Sequence, residues 1–86
     1  MNNAYVVAAL RTAGGRRGGL LANWHPVDLG AQVINALLKE IDCPPDVIED
    51  VIMGSVSQIG EQAMNVARNI VLASQLPESV PATSVD

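Results

Sequence analysis

Val51-Ile-Met-Gly-Ser-Val56, then a polar stretch over 57–64, then Asn65–Gln75, then Val80-Pro-Ala-Thr-Ser-Val-Asp86: this succession decides the fold class. The first run is apolar and of strand length. Ser57–Met64 contains Gly60 and reads as a loop. Asn65–Gln75 reads as a helix, with Asn65 as its cap. Val66, Ala67, Ile70, Val71, Leu72 and Ala73 wrap most of its circumference, so that it is expected to be buried on several sides. Leu76-Pro77 stops it, and Val80–Asp86 reads as an extended segment. A strand, a crossover helix and a second strand imply a parallel pair joined right-handedly.

The same pattern extends toward the N-terminus. Ala4-Tyr-Val-Val-Ala-Ala-Leu10 is another short apolar run, expected as a central strand with both faces covered. Arg11–Asn23 carries Gly14, Gly15, Gly18 and Gly19 and reads as a loop, because paired glycines weaken a helix or strand interior. Pro26-Val-Asp28 reads as a helix entry, with Asp28 as cap and as complement to the positive helix end. Leu29, Val33, Ile34, Leu37, Leu38 and Ile41 form one apolar stripe over about four turns. Gln32, Asn35, Lys39 and Glu40 fall mostly opposite, and Pro44-Pro45 ends the helix. Asp46–Asp50 is a short acidic connection with room for one helical turn. The expected order is β-α-β-α-β, an α/β class, with no internal repeat and no low-complexity tract.

A single three-stranded parallel sheet would leave both edges and one face open, whereas parallel sheets are normally covered on both sides. Together with a terminal strand that meets no following helix, this leads to the expectation that residues 1–86 are the first part of a larger layered unit, incomplete by itself.

Composition narrows the function classes. Of the 86 residues, 49% are hydrophobic, which places the chain outside the disordered class. The net charge of −4 argues against broad nucleic-acid binding. One cysteine excludes an internal disulfide and a zinc knuckle. No apolar run reaches the roughly 18 residues of a membrane helix, and Met1-Asn-Asn lacks the start of a signal peptide. A soluble cytoplasmic protein in a reducing compartment is the expectation.

The candidate reactive residues are few. Cys43 is the sole thiol, but it follows a helix C-terminus and stands beside Asp42. Both disfavour a thiolate, and a structural role is expected. His25, between Trp24 and Pro26, has no nucleophile or orienting partner assignable to it, and a surface or interface role is expected. Gly14-Gly-Arg-Arg-Gly-Gly19 follows a strand candidate but fits neither the P-loop nor the GxGxxG pattern. Arg11, Arg16 and Arg17 could hold an anion, although pairing with acidic groups is the plainer reading. Asn65 and Arg68, one turn apart, are expected to be a cap and a buried or interfacial anchor. Glu49, Asp50 and Glu61 form no pair spaced for acid–base work.

Taken in order, the motifs resemble one family. Val7-Ala-Ala-Leu-Arg-Thr-Ala-Gly-Gly-Arg-Arg-Gly-Gly-Leu20 is similar to the opening of thiolases, roughly A-x-R-T-P-x-G-[KR]-F-G-G. Asp28-Leu-Gly-Ala31 is similar to their first helix. Glu49-Asp-Val-Ile-Met-Gly-Ser-Val-Ser-Gln58 resembles [DE]-x-V-I-x-G-x-V-x-Q. Gly60–Arg68 resembles G-Q-N-x-A-R, and Leu76-Pro-Glu-Ser-Val-Pro-Ala-Thr-Ser-Val-Asp86 resembles L-P-x-x-V-P-A-x-T-V-N. Ala13 stands where Pro is usual, Arg17 where an aromatic is usual, and Asp86 where Asn is common. Glu61-Gln62-Ala63-Met64 loosens the Gln-Asn motif.

The resemblance implies a duplicated β-α-β-α-β layered fold and acyl transfer between coenzyme A thioesters, with formation or cleavage of a carbon–carbon bond. It implies a cysteine nucleophile just after the position of Asp86, a second cysteine as acid/base, histidines and an oxyanion hole. A homodimer or homotetramer is implied too. None of those catalytic positions falls on a residue of this chain, Cys43 included. The catalytic, cofactor-binding and metal sets are therefore expected to be empty here. Coenzyme A thioesters are substrates of the parent, the segment by itself is inactive, and its partner is the remainder of the thiolase chain. Two other readings remain: docking on a thiolase-like partner through an open sheet edge, and a small anion-binding module built on Arg11, Arg16 and Arg17.

Overall fold

Two prolines bracket the first helix, and the chain between them is laid out as the apolar stripe requires. In the computed structural model, which describes residues 3–86, α1 spans Pro26–Glu40 with Pro26 at the first turn. Met1 and Asn2, read above as a start without leader character, lie outside the described residues. The helix ends at Ile41, whose N–H donates to the carbonyls of Leu37 and Lys39. Asp42 then takes a positive φ of 49°, a conformation that Asp tolerates better than most residues. Pro44 follows, and the expected short turn is a 3₁₀ turn at Pro45–Val47.

The capping residue differs from expectation. Asp28 lies in the first turn, and the cap is His25, whose Nδ1 accepts the Val27 N–H at 3.2 Å. Pro26 occupies the first helical position, which puts the capping side chain one residue before it rather than at Asp28.

β1 covers Val51–Gly54, α2 covers Val66–Ala73 and β2 covers Ala82–Val85. The strands pair in parallel, Val51 opposite Ala82 through Gly54 opposite Val85. The Val51 N–H donates to Pro81 at 3.0 Å and the Ser55 N–H to Val85 at 2.7 Å, which carries the pairing one step beyond each end. Both strands are shorter than the apolar runs that announced them, and Val56 is exposed. A 3₁₀ turn at Gly60–Gln62 interrupts the connection from β1 to α2.

α2 buries Val66, Ala67, Ile70 and Val71, which recur at i, i+1, i+4 and i+5 and so form one broad face. Leu72 and Ala73 are exposed, so the burial on several sides is reduced to that face. Leu38, Val71, Leu76 and Val80 form the core cluster, with Ile34, Cys43, Ile48, Val51 and Ala82 packed around it. The helices meet at Gly30. A Cβ there would stand 2.5 Å from Ile70 Cδ1 and 2.9 Å from its Cγ1, so the crossing is close enough to exclude a methyl group.

The fold is thus a small α/β unit of two helices on a parallel two-stranded sheet, and the expected first strand is a correction. Ala4–Leu10 makes no strand pairing. Tyr5, Val6 and Val7 are 79%, 88% and 74% exposed rather than covered on both faces. A strand exists only through its ladder, and among the described residues none pairs with this run.

Candidate functional site

The candidates separate into three places. Arg11, Arg16 and Arg17 lie on the glycine loop, and all three are exposed. The loop turns at Arg16, whose carbonyl accepts the Gly19 N–H at 2.9 Å, with Gly18 at φ +69° in the region that favours glycine. His25 is taken up by the cap of α1. Cys43 is half-buried behind the end of that helix, where its N–H donates to Leu38 at 3.0 Å and its thiol to the Pro44 carbonyl at 3.4 Å. Its side chain packs on the core cluster, the placement of a small apolar group.

The acidic residues do not assemble. Asp50 Oδ1 accepts the Val51 N–H at 2.8 Å, Glu49 is exposed, and Glu61 sits in the 3₁₀ turn before α2. Among the described residues no three of His, Cys, Asp and Glu come together as a metal site would require. No helix among them is long and apolar enough to cross a membrane.

Among the described residues, a polar constellation joins separate elements where the first turn of α2 meets β2. Asn65 caps the helix from a left-handed conformation, φ 57° and ψ 78°, which Asn adopts more readily than most residues. Its Oδ1 accepts the Arg68 N–H at 3.2 Å and the Ser84 hydroxyl at 3.0 Å. Its Nδ2 donates to the Ala82 carbonyl at 3.0 Å. The Ser84 Oγ in turn accepts the Ala67 N–H at 3.1 Å. Arg68 Nη1 donates to the carbonyls of Glu78 and Val80, the latter at 3.1 Å. One helical turn therefore grips positions 78, 80, 82 and 84, every second residue on the way into and along β2.

Asn65 and Arg68 have the cap and anchor roles that their spacing suggested. Ser84 was missed. Its signal was available in the alternation of the strand: Val80, Ala82 and Ser84 share one parity, and a hydroxyl among two apolar side chains needs a partner once it is packed against a helix.

Beside β1 lies an open apolar groove of about 570 Å³. Leu29, Val33 and Leu37 of α1, Val51 and Met53 of β1, and Thr12 are among the residues that line it. The α1 stripe read from the sequence thus faces this groove in large part, and only Ala31 and Leu38 of the helix are fully buried.

The family model described as "Thiolase, N-terminal domain" matches residues 4–86. A steroid 3-ketoacyl-CoA thiolase of Mycobacterium tuberculosis is 52% identical over 86 residues, covering 100% of this chain and 21% of the relative. A β-ketoadipyl-CoA thiolase of Acinetobacter baylyi is 43% identical over 90 residues, covering 100% of the chain and 22% of the relative. A 3-ketoacyl-CoA thiolase of Pseudoalteromonas translucida is 41% identical over 88 residues, with 100% and 23% covered. The chain spans less than a quarter of the length of each.

Proposed function

The chain belongs to the thiolase family by its match to the N-terminal domain, and from this premise we propose that it is the leading part of a longer coenzyme A-dependent acyltransferase. The reaction is the reversible Claisen condensation and thiolysis of acyl-CoA thioesters. The observation that carries this reading is the family match over residues 4–86. The parallel β1–α2–β2 unit and its clamped strand are consistent with it. No residue of the chain stands at a catalytic position of the family. The resemblance puts the nucleophilic cysteine just after Asp86, where a turn from a strand into a helix exposes a side chain and the helix N-terminus stabilises a thiolate.

Ala4–Leu10 is then the first strand of the layered fold, lying along the free edge of β1 once further layers cover the exposed side. The open groove and the exposed Tyr5, Val6 and Val7 support that placement. A homodimeric or homotetrameric assembly in the cytoplasm, with no cofactor held by this segment, completes the reading. The open edge of β1 also favours a second reading, in which this segment docks on a separate thiolase-like chain.

The test compares two proteins, the 86-residue chain and the product of the full reading frame, in thiolysis of a 3-ketoacyl-CoA by free coenzyme A. The steroid relative adds a ring-bearing 3-ketoacyl-CoA to the substrates to try. The longer product is expected to cleave its substrate, and the 86-residue chain to be inert. A longer product without activity on any 3-ketoacyl-CoA defeats the reading. Stable co-elution of the 86-residue chain with a separate thiolase chain would favour the second.

A further inference from the structure

The grip of α2 on β2 sets a register that the apolar pattern alone does not set. β2 is four residues long and, among the described residues, pairs with β1 alone. A slip by one residue is forbidden, since it would turn Val80 and Ala82 outward. A slip by two residues keeps parity and moves the end of the strand by about 6.6 Å. Packing opposes this through Val80, whose place in the core cluster Ala82 would take while Ser84 took that of Ala82.

The hydrogen bonds add to that discrimination. Among Val80, Ala82, Ser84 and Asp86, only Ser84 can both accept the Ala67 N–H and donate to Asn65 Oδ1. A carboxylate at that place would accept but not donate. The amide of Asn65 has one permitted orientation. The Ala82 carbonyl can only accept, so the nitrogen faces it and the oxygen faces Arg68 and Ser84. A two-residue slip would offer Asn65 Nδ2 another main-chain carbonyl but would leave the Ser84 contacts to Ala67 and Asn65 unmade, so the hydroxyl at position 84 singles out one register.

We infer that Asn65 and Ser84 are positioning residues that lock β2 in one register on α2 and so fix the point at which the chain leaves the strand. This rests on the thiolase reading above, which puts the nucleophile just beyond that point. A displacement of about 1 Å at a reacting group can cost about a hundredfold in rate, so the lock acts on turnover rather than on substrate binding.

The test uses the full reading-frame product carrying Asn65→Asp, Ser84→Ala or Ser84→Thr. Asn65→Asp is isosteric and sets an oxygen against the Ala82 carbonyl. Ser84→Ala removes the hydroxyl, and Ser84→Thr keeps it. Amide exchange at Ala67 and Ser55 reads the lock itself, and kcat against KM reads its consequence. Faster exchange at both amides, with kcat down about tenfold to a hundredfold and KM unchanged, is expected for the first two variants. Recovery of both readouts is expected with Ser84→Thr.

Unchanged exchange in Ser84→Ala overturns the lock. Faster exchange with unchanged kcat overturns its positioning role while leaving the thiolase reading intact. A wild-type product without thiolysis defeats that reading, and the positioning role with it. If Asn65→Asp does not fold, the comparison of Ser84→Ala with Ser84→Thr decides alone.

Discussion

At the residue scale, caps and anchors carry more of this structure than any reactive group. His25 is an uncommon cap. Its imidazole does for α1 what a Ser or Asp side chain usually does, accepting an otherwise unpaired amide of the first turn. Losing such a cap costs on the order of 1 kcal/mol. His25→Ala is therefore expected to speed amide exchange at Val27 about fivefold, while His25→Ser leaves it near the wild-type rate. Equal rates for the two variants would show that the imidazole is not the cap. The sequence pointed to Asp28 instead because Asp is the commoner capping type and lies in the right turn. The deciding fact is that Pro26 fixes the first helical position. Asn65 was legible as a cap by type and place, whereas its second partner, Ser84, lies 19 positions away in sequence and emerged only once the helix was set on the strand.

At the scale of elements, the contact between α1 and α2 depends on a missing side chain. A methyl group at Gly30 meets Ile70, which is 2% exposed and β-branched, so its χ1 has little room to give. Overpacking of this kind costs about 1–3 kcal/mol. The helix propensity gained on replacing Gly by Ala returns about 1 kcal/mol. The overpacking term wins, and Gly30→Ala is expected to destabilise by about 1 kcal/mol. Ile70→Val removes the atom that stands closest, so the double variant should be more stable than the two single effects added together. Strict additivity in a denaturant-unfolding cycle would contradict the close crossing.

The helices and the two paired strands were legible because their determinants are local: proline stops, cap types and apolar spacing. Ala4–Leu10 was not, because an apolar run becomes a strand only through a ladder with neighbours, and its own residues do not supply one. Val7→Asp tests this directly. In the 86-residue chain, where Val7 is exposed, the change should shift stability by no more than about 0.5 kcal/mol. In the full reading-frame product it should abolish soluble expression. Normal yield of that product would place the segment outside the sheet.

At the scale of the whole molecule, the surface is too large for the mass. A compact monomer of 9.0 kDa exposes about 4,850 Å². This chain exposes 6624 Å², an excess of about 1,800 Å², roughly twice the ~800 Å² that each partner buries in a standard protein–protein interface. The radius of gyration is 13.6 Å against about 12 Å for a compact chain of this length, and the long axis reaches 44 Å. Tyr5, Val6, Leu20, Val56, Ile59 and Met64 account for much of the apolar exposure. That surface suits a piece covered by further layers and is hard to reconcile with a self-sufficient module.

The proposed function assigns the chemistry to a longer protein, in which this unit supplies the strand that leads to the nucleophile. Thiolysis of a 3-ketoacyl-CoA, followed as coenzyme A-dependent loss of substrate for both proteins side by side, tests it most directly. Turnover by the full reading-frame product and none by the 86-residue chain is expected. Turnover by the 86-residue chain alone, or its absence from the longer product, would contradict it.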